Sequence, residues 1–324
     1  MKTDKLNVAL IGAGNMGRNH ARIYSELPNI NLIAICDTNE KLARQLAKHY
    51  GCLAYQDHKQ MLAEQQIDAV SIAVPTFLHH KIACDVLDKN IHVLLEKPIA
   101  TNLKEAKEIL KKAKKRNLVL MIGHIERFNP AVRRLSHLIY KKRLGEIISL
   151  NIRRVGGTPP QAKNANVVMD LAIHDIDIAN SLLQGLPIET HGFKSKRIIN
   201  DQEDNALILL KYPNAFAFIE VNWTTPIKIR TLDITGTKAF ARLDYLEQKI
   251  TLYENDYPNS ISQWKNYDEF LSKTCSTDTV QIGINKAEPL KCELEEFISA
   301  IQENRTPIFS PQDAYKALEI ALKI

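Results

Sequence analysis

The chain has 324 residues, of which 45% are hydrophobic and 25% are charged, and its formal net charge is +6. This length suits about two domains rather than one ordinary core, and the composition excludes intrinsic disorder. No stretch is long and apolar enough to predict a transmembrane helix, and the N-terminal residues do not read as a secretion signal. We therefore predict a cytosolic protein without a membrane partner.

The basic charge comes mainly from lysines on predicted helices, for example in the run KEAKEILKKAKKR at 104–116. A run of this kind without interleaved aromatic residues is typical of a solvated helix face, so we predict no nucleic-acid partner. A basic balance does suit an anionic cofactor or substrate. The five cysteines show neither a C-x-x-C pair nor metal-ligand spacing, which predicts reduced thiols and no metal site.

Up to about residue 122, short apolar runs alternate with amphipathic stretches. The runs predicted as strands are NVALIGAG, NLIAICD, AVSIAVP, HVLLEKP and LVLMIGH. The stretches predicted as helices are 16–27, 40–50, 77–90 and 103–116. Nearly continuous apolar strands separated by helices indicate an α/β fold with a doubly wound parallel sheet, so we assign a first domain to 1–122.

The pattern changes after residue 123. Helices are predicted at 129–143 and at about 168–183, with a strand at 147–155 between them. Further strands, joined by short turns, are predicted for ALILLKY, AFAFIEVNW, IRTLDITG, AFARLDY and QKITLYE. Short links favour antiparallel neighbours, so 123–324 is predicted to be an α+β domain with an open, mainly antiparallel sheet.

The C-terminal part of the chain is predicted in less detail. Residues 257–287 show no clear period, and we assign them no element. Two helices close the chain, PLKCELEEFISAI and SPQDAYKALEIA, and the second begins with Ser310 as its N-cap and Pro311 in its first turn.

One face of the predicted antiparallel sheet carries apolar and aromatic side chains, among them Phe216, Phe218 and Trp223. A patch of this kind on a soluble protein is typical of a subunit interface. We therefore predict a homo-oligomer, a dimer or tetramer, that associates through this sheet.

A glycine motif lies between the first strand and the first helix. Gly12-Ala13-Gly14-Asn15-Met16-Gly17 matches G-x-G-x-x-G in the strand–helix context that the motif requires. The glycines permit a tight turn and close approach to a pyrophosphate, whose charge the helix N-terminus stabilises. Asp37 ends the second strand about 20 residues later, where a carboxylate can bind ribose hydroxyls. A dinucleotide is therefore predicted to contact Gly12, Gly14, Asn15, Met16, Gly17, Asp37 and Thr38.

The cofactor is predicted to be NAD rather than NADP. A carboxylate at Asp37 repels the 2′-phosphate of NADP, and no arginine follows it in CDTNEK. Asp37 also admits a structural interpretation, as the N-cap of the next helix, and the two roles are compatible.

The stretch HVLLEKPIATN places a charged pair, Glu96 and Lys97, at the end of a buried strand. Polar residues are one ordinary way of ending a strand. Ligands, however, bind at the carboxyl ends of the strands in open α/β sheets, so Lys97 is also a candidate for chemistry.

The predicted helix VVMDLAIHDIDIANSLL carries a polar stripe. Asp170 and His174 lie four residues apart, and Asp177 and Ser181 continue the same face, opposite an apolar side. Such a stripe is commonly the solvated face of a helix. This one lacks the Lys and Glu of a typical surface, so a functional role stands beside the structural one.

Three motifs in this order, IGAGNMGRNHA, EKPIA and Asp170-x-x-x-His174, resemble the Gfo/Idh/MocA family of sugar and polyol oxidoreductases, and the resemblance spans nearly the full chain. It implies a Rossmann domain followed by an open-sheet domain, with NAD as cofactor. The residues that it implies as cofactor contacts are Val74, Pro75, Thr76, His79, Glu96 and Lys97. Lys97, Asp170 and His174 are implied as catalytic and substrate-binding residues.

These three side chains suit the oxidation of a secondary alcohol. His174 has a side chain that takes up a proton near neutral pH, and Lys97 can stabilise negative charge on the reacting oxygen. Asp170 would orient the imidazole or bind a neighbouring hydroxyl.

A finer resemblance, carried by GHIERFNPAV, RRVGG and VVMDLAIHDIDI, is to the branch that includes UDP-N-acetylglucosamine 3-dehydrogenases. Arg127, Arg153 and Arg154 are candidate ligands of a diphosphate, with ordinary ion pairs as the alternative. The sequence departs from the family at 164–167, where Asn-Ala-Asn-Val replaces a glycine cluster, which leaves the substrate open.

We predict an NAD-dependent oxidoreductase that oxidises the 3-hydroxyl of UDP-N-acetylglucosamine or a related UDP-sugar. The alternatives are a free sugar or inositol dehydrogenase, and a non-catalytic NAD-binding regulatory protein. The presence of Lys97, Asp170 and His174 together argues against the regulatory protein, which has no need of all three.

Overall fold

The structure, a computed structural model, describes residues 5–157, 165–198, 202–254, 266–268 and 279–324. The backbone divides into two compact units, the first comprising Met1–Ile125 and Glu288–Leu322 and the second Glu126–Ala287 and Lys323–Ile324. Within these described ranges we find no helix with the length and apolarity needed to cross a membrane.

The first unit contains a doubly wound sheet. Its strands and helices, in chain order, are β1 (Leu6–Ile11), α1 (Asn15–Glu26), β2 (Ile30–Cys36), α2 (Glu40–Tyr50), β3 (Leu53–Tyr55), α3 (His58–Glu64), β4 (Ala69–Ile72), α4 (His79–Asp88), β5 (His92–Glu96), α5 (Leu103–Lys115), β6 (Leu120–Gly123), α8 (Pro289–Gln302) and α9 (Pro311–Ala321). The six strands are ordered β3-β2-β1-β4-β5-β6, and every neighbouring pair is parallel. The predicted Rossmann sheet is confirmed.

The buried strands explain why this sheet could be predicted. All positions of β4 and β6 are buried, and so are four of the five positions of β5, as expected of strands covered on both faces. The sequence analysis missed β3 and α3. β3 is a three-residue strand at the edge of the sheet with two exposed positions, so it has no apolar run to reveal it.

The two C-terminal helices correct the predicted domain boundary. We predicted that 123–324 forms one domain, but α8 and α9 belong to the first unit. There α8 packs against α1, and α9 packs against α5 and β6. The predicted N-cap of α9 is confirmed, since the Ser310 side chain accepts a hydrogen bond from the backbone N–H of Gln312.

The second unit contains an open sheet of eight strands. Its elements are α6 (Pro130–Tyr140), β7 (Ile147–Gly157), α7 (Ile173–Leu182), β8 (Glu189–Ser195), β9 (Asn205–Lys211), β10 (Phe216–Asn222), β11 (Thr224–Gly236), β12 (Ala239–Asp244), β13 (Lys249–Glu254) and β14 (Thr279–Ile282). The order is β14-β13-β12-β11-β7-β10-β9-β8, and only the β7–β10 pair among these strands is parallel. The predicted mainly antiparallel sheet is confirmed, although β8 and β14 were not predicted.

The two faces of this sheet differ in burial. Along β9 and β10 buried positions alternate with more exposed ones, and α6 and α7 pack against strands of the sheet. The other face carries exposed apolar side chains on three adjacent strands, between 40% and 79% exposed: Phe193, Leu207, Leu209, Phe216 and Phe218. We call these five residues the apolar sheet patch.

Trp223 was predicted on this exposed face, and this was wrong. Its side chain is only 2% exposed, because the alternation stops at the end of β10, where Asn222 and Trp223 are both buried. The predictions for Phe216 and Phe218 agree with their exposure.

Cys36, Cys52 and Cys84 are free thiols, as predicted, and Cys275 lies outside the described residues. Burial raises the pKa of the Cys36 thiol to about 12 and that of Cys52 to about 11. Both side chains therefore remain protonated at neutral pH and pack as small apolar groups.

Candidate active site

The glycine loop between β1 and α1 leaves no room for side chains at two positions. Gly12 has φ +102°, and a Cβ there would lie 2.2 Å from the carbonyl oxygen of Ala73. A Cβ on Gly17 would lie 1.8 Å from the carbonyl oxygen of Gly12. At Gly14, which caps α1, a Cβ would meet nothing within 4 Å. The loop therefore packs against backbone carbonyls at Gly12 and Gly17 and has free space at Gly14, at the N-terminus of α1. A pyrophosphate site requires such a space at a helix N-terminus.

Asp37, at the end of β2, braces this loop. Its Oδ2 accepts a hydrogen bond from the backbone N–H of Ala13 at 2.7 Å, and its Oδ1 accepts one from Asn39 at 2.8 Å. The N-cap of α2 is Asn39, whose side chain accepts from the N–H of Leu42, so the N-cap interpretation of Asp37 was wrong. Each carboxylate oxygen has a second lone pair for a ribose hydroxyl. Thr38 beside it is exposed.

The loop after β4 adjoins the glycine loop. A Cβ on Gly12 would also lie 3.1 Å from the Val74 side chain, and Pro75 and Thr76 follow at least partly exposed. The strands that carry these loops, β1 and β4, are the pair between which the order of the sheet reverses. This is the place where open α/β sheets bind nucleotides.

His79 was predicted to contact the cofactor, and the structure corrects this. Its ring is buried, with Nδ1 2.8 Å from the carbonyl oxygen of Pro98 and Nε2 2.9 Å from that of Val74. Burial lowers the pKa of His79, and a neutral imidazole donates to one of these carbonyls at a time. His79 therefore ties together the loops that follow β4 and β5.

Glu96 is likewise turned into the first unit. Its Oε1 lies 3.1 Å from Nε2 of His20, and its Oε2 accepts a hydrogen bond from the backbone N–H of Lys97 at 3.2 Å. Glu96 is buried and both of its oxygens are engaged inside the unit, so we assign it a structural role, and its predicted contact with the cofactor stays a prediction. Lys97, the next residue, is half-buried and stays a candidate for chemistry.

In the second unit, the predicted catalytic helix begins with a π-helical turn, Val168–Ala172, which leads into α7. Asp170 lies in the π turn and His174 in the first turn of α7. Turns of this type are frequent at functional sites. Asn166, in the segment that departs from the family, accepts a hydrogen bond from the N–H of Met169 at 3.0 Å and so caps this helix.

The polar stripe of this helix is not a solvated face. Asp170 is partly exposed, but His174, Asp175 and Asp177 are buried. The alternative of a solvated face was therefore wrong for His174 and Asp177, while Asp170 and Ser181 are partly exposed. Buried charges are costly unless they are paired, so their partners decide what they do.

The three arginines predicted to bind a diphosphate lie in ion pairs. Arg127 makes two parallel hydrogen bonds of 2.6 Å to Asp177, and both side chains are buried. Arg154 bonds both oxygens of Asp175 at 2.9 Å and Glu126 at 2.7 Å. Burial alone would lower the pKa of Arg154, but these two carboxylates outweigh it and raise the pKa.

Arg153 pairs with Glu220 at 2.7 Å in a half-exposed position. The ion-pair alternative thus describes all three arginines. Arg127 and Arg154 are withdrawn as substrate ligands, since a diphosphate would have to displace buried carboxylates from them. Arg153 keeps an exposed guanidinium.

Arg230 on β11 is a residue that the sequence analysis missed. It lies directly opposite Arg154 in the β7–β11 register, and its Nη1 donates to the carbonyl oxygens of Val155 at 2.9 Å and Ile229 at 3.2 Å. Burial and Arg154 lower the pKa of Arg230 to about 10, against the opposing effect of carboxylates that include Asp170. The side chain therefore stays cationic at neutral pH. No signal in the sequence distinguishes it from other strand arginines.

The sequence predicted no metal site, but one group of side chains has its potential ligand atoms close enough together to hold a metal ion. Within the described residues, the ligand atoms of His80, Cys84 and Glu108 lie within 4.8 Å of one another. His80 Nε2 lies 3.0 Å from the Glu108 carboxylate, which is exposed. This hydrogen bond accounts for the proximity, and we assign no metal to the group.

Comparisons with known proteins agree with this geometry. Residues 6–124 match the model described as "Oxidoreductase family, NAD-binding Rossmann fold", and residues 132–242 match the GFO/IDH/MocA C-terminal domain. The chain is similar to UDP-N-acetylglucosamine 3-dehydrogenase of Acidithiobacillus ferrooxidans, with 28% identity over 94% of this chain and 91% of that protein. It is also similar to scyllo-inositol 2-dehydrogenase (NAD(+)) of Bacillus subtilis, with 25% identity over 98% and 92% of the two chains.

A solved structure of UDP-N-acetylglucosamine 3-dehydrogenase from Acidithiobacillus ferrooxidans superposes with a TM-score of 0.85 at 25% identity. The superposition covers 99% of this chain and 97% of that chain. The parallel sheet, the glycine loop and Asp37 define an NAD-binding oxidoreductase. Within that class, the chain belongs to the Gfo/Idh/MocA family, whose members include sugar and inositol dehydrogenases.

Replacement of Asp37 tests the ribose end of the NAD site. We expect Asp37→Ala to weaken NAD binding about tenfold to a hundredfold, since charge-assisted hydrogen bonds contribute about 1.5–3 kcal/mol each. Asp37→Asn keeps an acceptor for the Ala13 N–H but removes the charge, so NADP should gain relative to NAD. Titration of both cofactors by fluorescence measures this, and equal losses for NAD and NADP in both variants would contradict the assignment.

Replacement of Arg127 tests its structural role. Arg127→Ala should lower the free energy of unfolding by about 3–5 kcal/mol, because it leaves Asp177 buried without its partner. Arg153→Ala, at a half-exposed pair, should cost no more than about 1 kcal/mol. Denaturant unfolding followed by the fluorescence of buried Trp223 compares the two. Equal losses in both variants would refute the buried ion pair as a source of stability.

Proposed function

We propose that this protein oxidises a secondary hydroxyl of a UDP-sugar, most specifically the 3-hydroxyl of UDP-N-acetylglucosamine or a related compound, with NAD as the acceptor. The Acidithiobacillus ferrooxidans protein, which is similar to this chain over nearly its whole length, is named for that activity. The glycine loop, Asp37 and the loop after β4 support binding of the cofactor.

The chemistry removes a proton from the hydroxyl oxygen and a hydride from the carbon that bears it, and this C–OH group becomes a ketone. Bound NAD supplies the acceptor for the hydride. We assign His174 as the base that takes the proton, and Lys97 as the cation that stabilises negative charge on the oxygen. Asp170 orients His174 or binds the neighbouring hydroxyl.

The observation that carries the nucleotide-sugar proposal is Arg230. Arg127, Arg153 and Arg154 each have a carboxylate partner, whereas the hydrogen bonds of Arg230 go to two backbone carbonyls. Its charge is close enough to Asp170 for the two to interact electrostatically. A cation near the proposed catalytic pair suits a substrate with a diphosphate. Arg153 is a second candidate for this contact.

A free sugar or inositol is the alternative substrate, and the scyllo-inositol dehydrogenase relative favours it. Such a substrate has no anionic group for Arg230. Turnover on a panel of free sugars, inositols and UDP-sugars, measured together with NAD binding, separates the two substrates. NAD binding without turnover on any of them would favour a regulatory protein.

Arg230→Ala should raise the KM for a UDP-sugar about tenfold or more and leave the KM for a free sugar unchanged, because only the UDP-sugar carries phosphates. Arg242→Ala is the matched control, since it removes an exposed arginine of the same sheet that pairs with Asp233. Steady-state kinetics on both substrate types measures the effect. A similar rise for both substrates would make Arg230 a structural residue.

Lys97→Met keeps the stem of the side chain and deletes the charge. Turnover should fall roughly 10²-fold to 10³-fold, as expected for loss of one electrostatic stabiliser, while NAD affinity changes far less. His174→Ala should be similarly damaging, and the double variant should cost less than the product of the two, since both act on one proton transfer. A folded, NAD-binding Lys97→Met enzyme with normal turnover would refute the role.

We also propose that the protein forms a homo-oligomer through the apolar sheet patch. Phe218 and Leu209 face each other across β9 and β10, so a charge at Phe218 enters the middle of the patch. Phe218→Arg should give a monomer in sedimentation at micromolar concentration, while Tyr140→Arg, at an exposed aromatic residue outside the patch, should not. A wild-type monomer would contradict the proposal.

A further inference from the structure

A row of buried polar side chains crosses the first unit beneath the strand end that carries Lys97. His20, on α1, has Nε2 3.1 Å from Oε1 of Glu96 and Nδ1 3.1 Å from Oγ of Ser71. The hydroxyl of Tyr24 lies 2.7 Å from the same Ser71 oxygen. All four side chains are buried. The row therefore joins the helix of the glycine loop to β4 and β5.

The row is a continuous chain of hydrogen bonds. The hydroxyls of Tyr24 and Ser71 bond each other, Ser71 bonds Nδ1 of His20, and Nε2–H of His20 donates to the Glu96 carboxylate. Chains of this kind strengthen each bond within them, and they hold an imidazole in one orientation. The row ends on Glu96, which is the acceptor for the backbone N–H of Lys97.

Glu293, on α8, adds a second carboxyl group at this place. It is 0% exposed, and neither of its oxygens has a hydrogen-bond partner within the described structure. Burial raises its pKa well above the ordinary value, and the charge of Glu96 raises it further. Burial would also raise the pKa of Glu96, but the hydrogen bond and charge of His20, with Lys97, outweigh it and lower the pKa.

The two carboxyl groups therefore differ in state. Glu96 is ionised, because His20 and the Lys97 amide both donate to it, and Glu293 is a neutral acid. Two like charges so close together in an apolar interior cannot both form at neutral pH. Apolar residues in these positions would cost less to bury, so stability alone does not account for the row.

We propose that His20 and Glu96 are positioning residues for Lys97, and that Glu293 holds a proton beside them so that Glu96 alone carries the negative charge. Glu96 fixes the peptide that presents Lys97, and His20 fixes Glu96. Because His20 lies three residues after Gly17, the same contact ties the glycine loop to the Lys97 strand end. This inference rests on the proposed role of Lys97.

The charges that face this group come from four elements. They are His20 and Tyr24 on α1, Glu96 and Lys97 at the end of β5, His79 on α4 and Glu293 on α8. His79 is held neutral, since burial lowers its pKa. A measurement of the wild type alone would therefore not isolate Glu293. The pH dependence of the wild type has to be compared with that of Glu293→Gln and of a control variant.

The first experiment measures the proton on Glu293. Above the ordinary glutamate pKa of 4.5, the unfolded state has released this proton while the folded state still binds it. Folding then takes up a proton, so the free energy of unfolding falls as the pH rises. Relative to Glu293→Gln, the wild-type folding constant should fall by up to about tenfold per pH unit above 4.5. Glu295→Gln, at an exposed position two residues along α8, should keep the wild-type slope.

Denaturant unfolding at several pH values between 5 and 8 gives these slopes. A Glu293→Gln variant with the wild-type pH dependence would show that Glu293 is ionised in the folded protein, and this would overturn its assignment.

The second experiment measures positioning. His20→Ala and Glu96→Gln should each lower kcat about tenfold or more while changing the affinity for NAD less than about twofold. His20→Asn, which keeps a donor, should recover part of the loss. In a Lys97→Met background, Glu96→Gln should cause little further loss of kcat, because Glu96 acts through Lys97.

If Glu96→Gln lowers kcat by the same factor with and without Lys97, the positioning role is overturned. A normal kcat in His20→Ala would overturn it as well. Failure of the proposed function is recognised separately, since Lys97→Met itself would then retain turnover. The pH dependence of unfolding does not depend on turnover and decides the state of Glu293 in either case.

Discussion

No side chain fits at Gly12 or Gly17, and the cofactor end of the first unit depends on this constraint. A Cβ at either position would overlap a backbone carbonyl oxygen, so β1 can turn into α1 within three residues only because both are glycine. The tight turn places the open N-terminus of α1 above the ends of β1 and β4. Asp37 then holds the loop through the Ala13 amide. NAD binding follows from this arrangement and from the family to which the chain belongs.

Both units contain buried charged side chains. Their hydrogen-bond partners distinguish the side chains with a structural role from the candidates for catalysis or substrate binding. In the second unit, Asp175 and Asp177 satisfy Arg154 and Arg127, which removes these residues from the set that can meet a substrate. Asp170, His174 and Arg230 are the residues of this unit that we propose to act on the substrate. In the first unit, the polar atoms of His79 lie against backbone carbonyls and Glu96 is bonded to His20. We assign a structural role to those predicted site residues whose polar atoms already have protein partners.

The groups proposed to act on substrate are each presented by a defined piece of backbone. Lys97 follows the last residue of β5, Asp170 lies in a π turn, and Arg230 is fixed by backbone carbonyls within β11. Such positions fix the backbone that presents a side chain. The buried row from Tyr24 to Glu96 extends the same principle, since it fixes a backbone amide rather than a side chain.

The sequence by itself determined the two sheets, the glycine loop, Asp37 and the order of the family motifs. These depend on local patterns: apolar runs, glycine spacing and the short turns between antiparallel strands. It did not reveal β3, which is short and exposed, or the return of α8 and α9 to the first unit, which depends on packing between distant segments. Only the tertiary structure decided which charges are paired. Arg154 and Arg230 are more than 70 residues apart and become neighbours through strand register, and Glu293 meets Glu96 because α8 packs on α1. A side chain's chemistry depends on its burial and its partners, and no local pattern contains either.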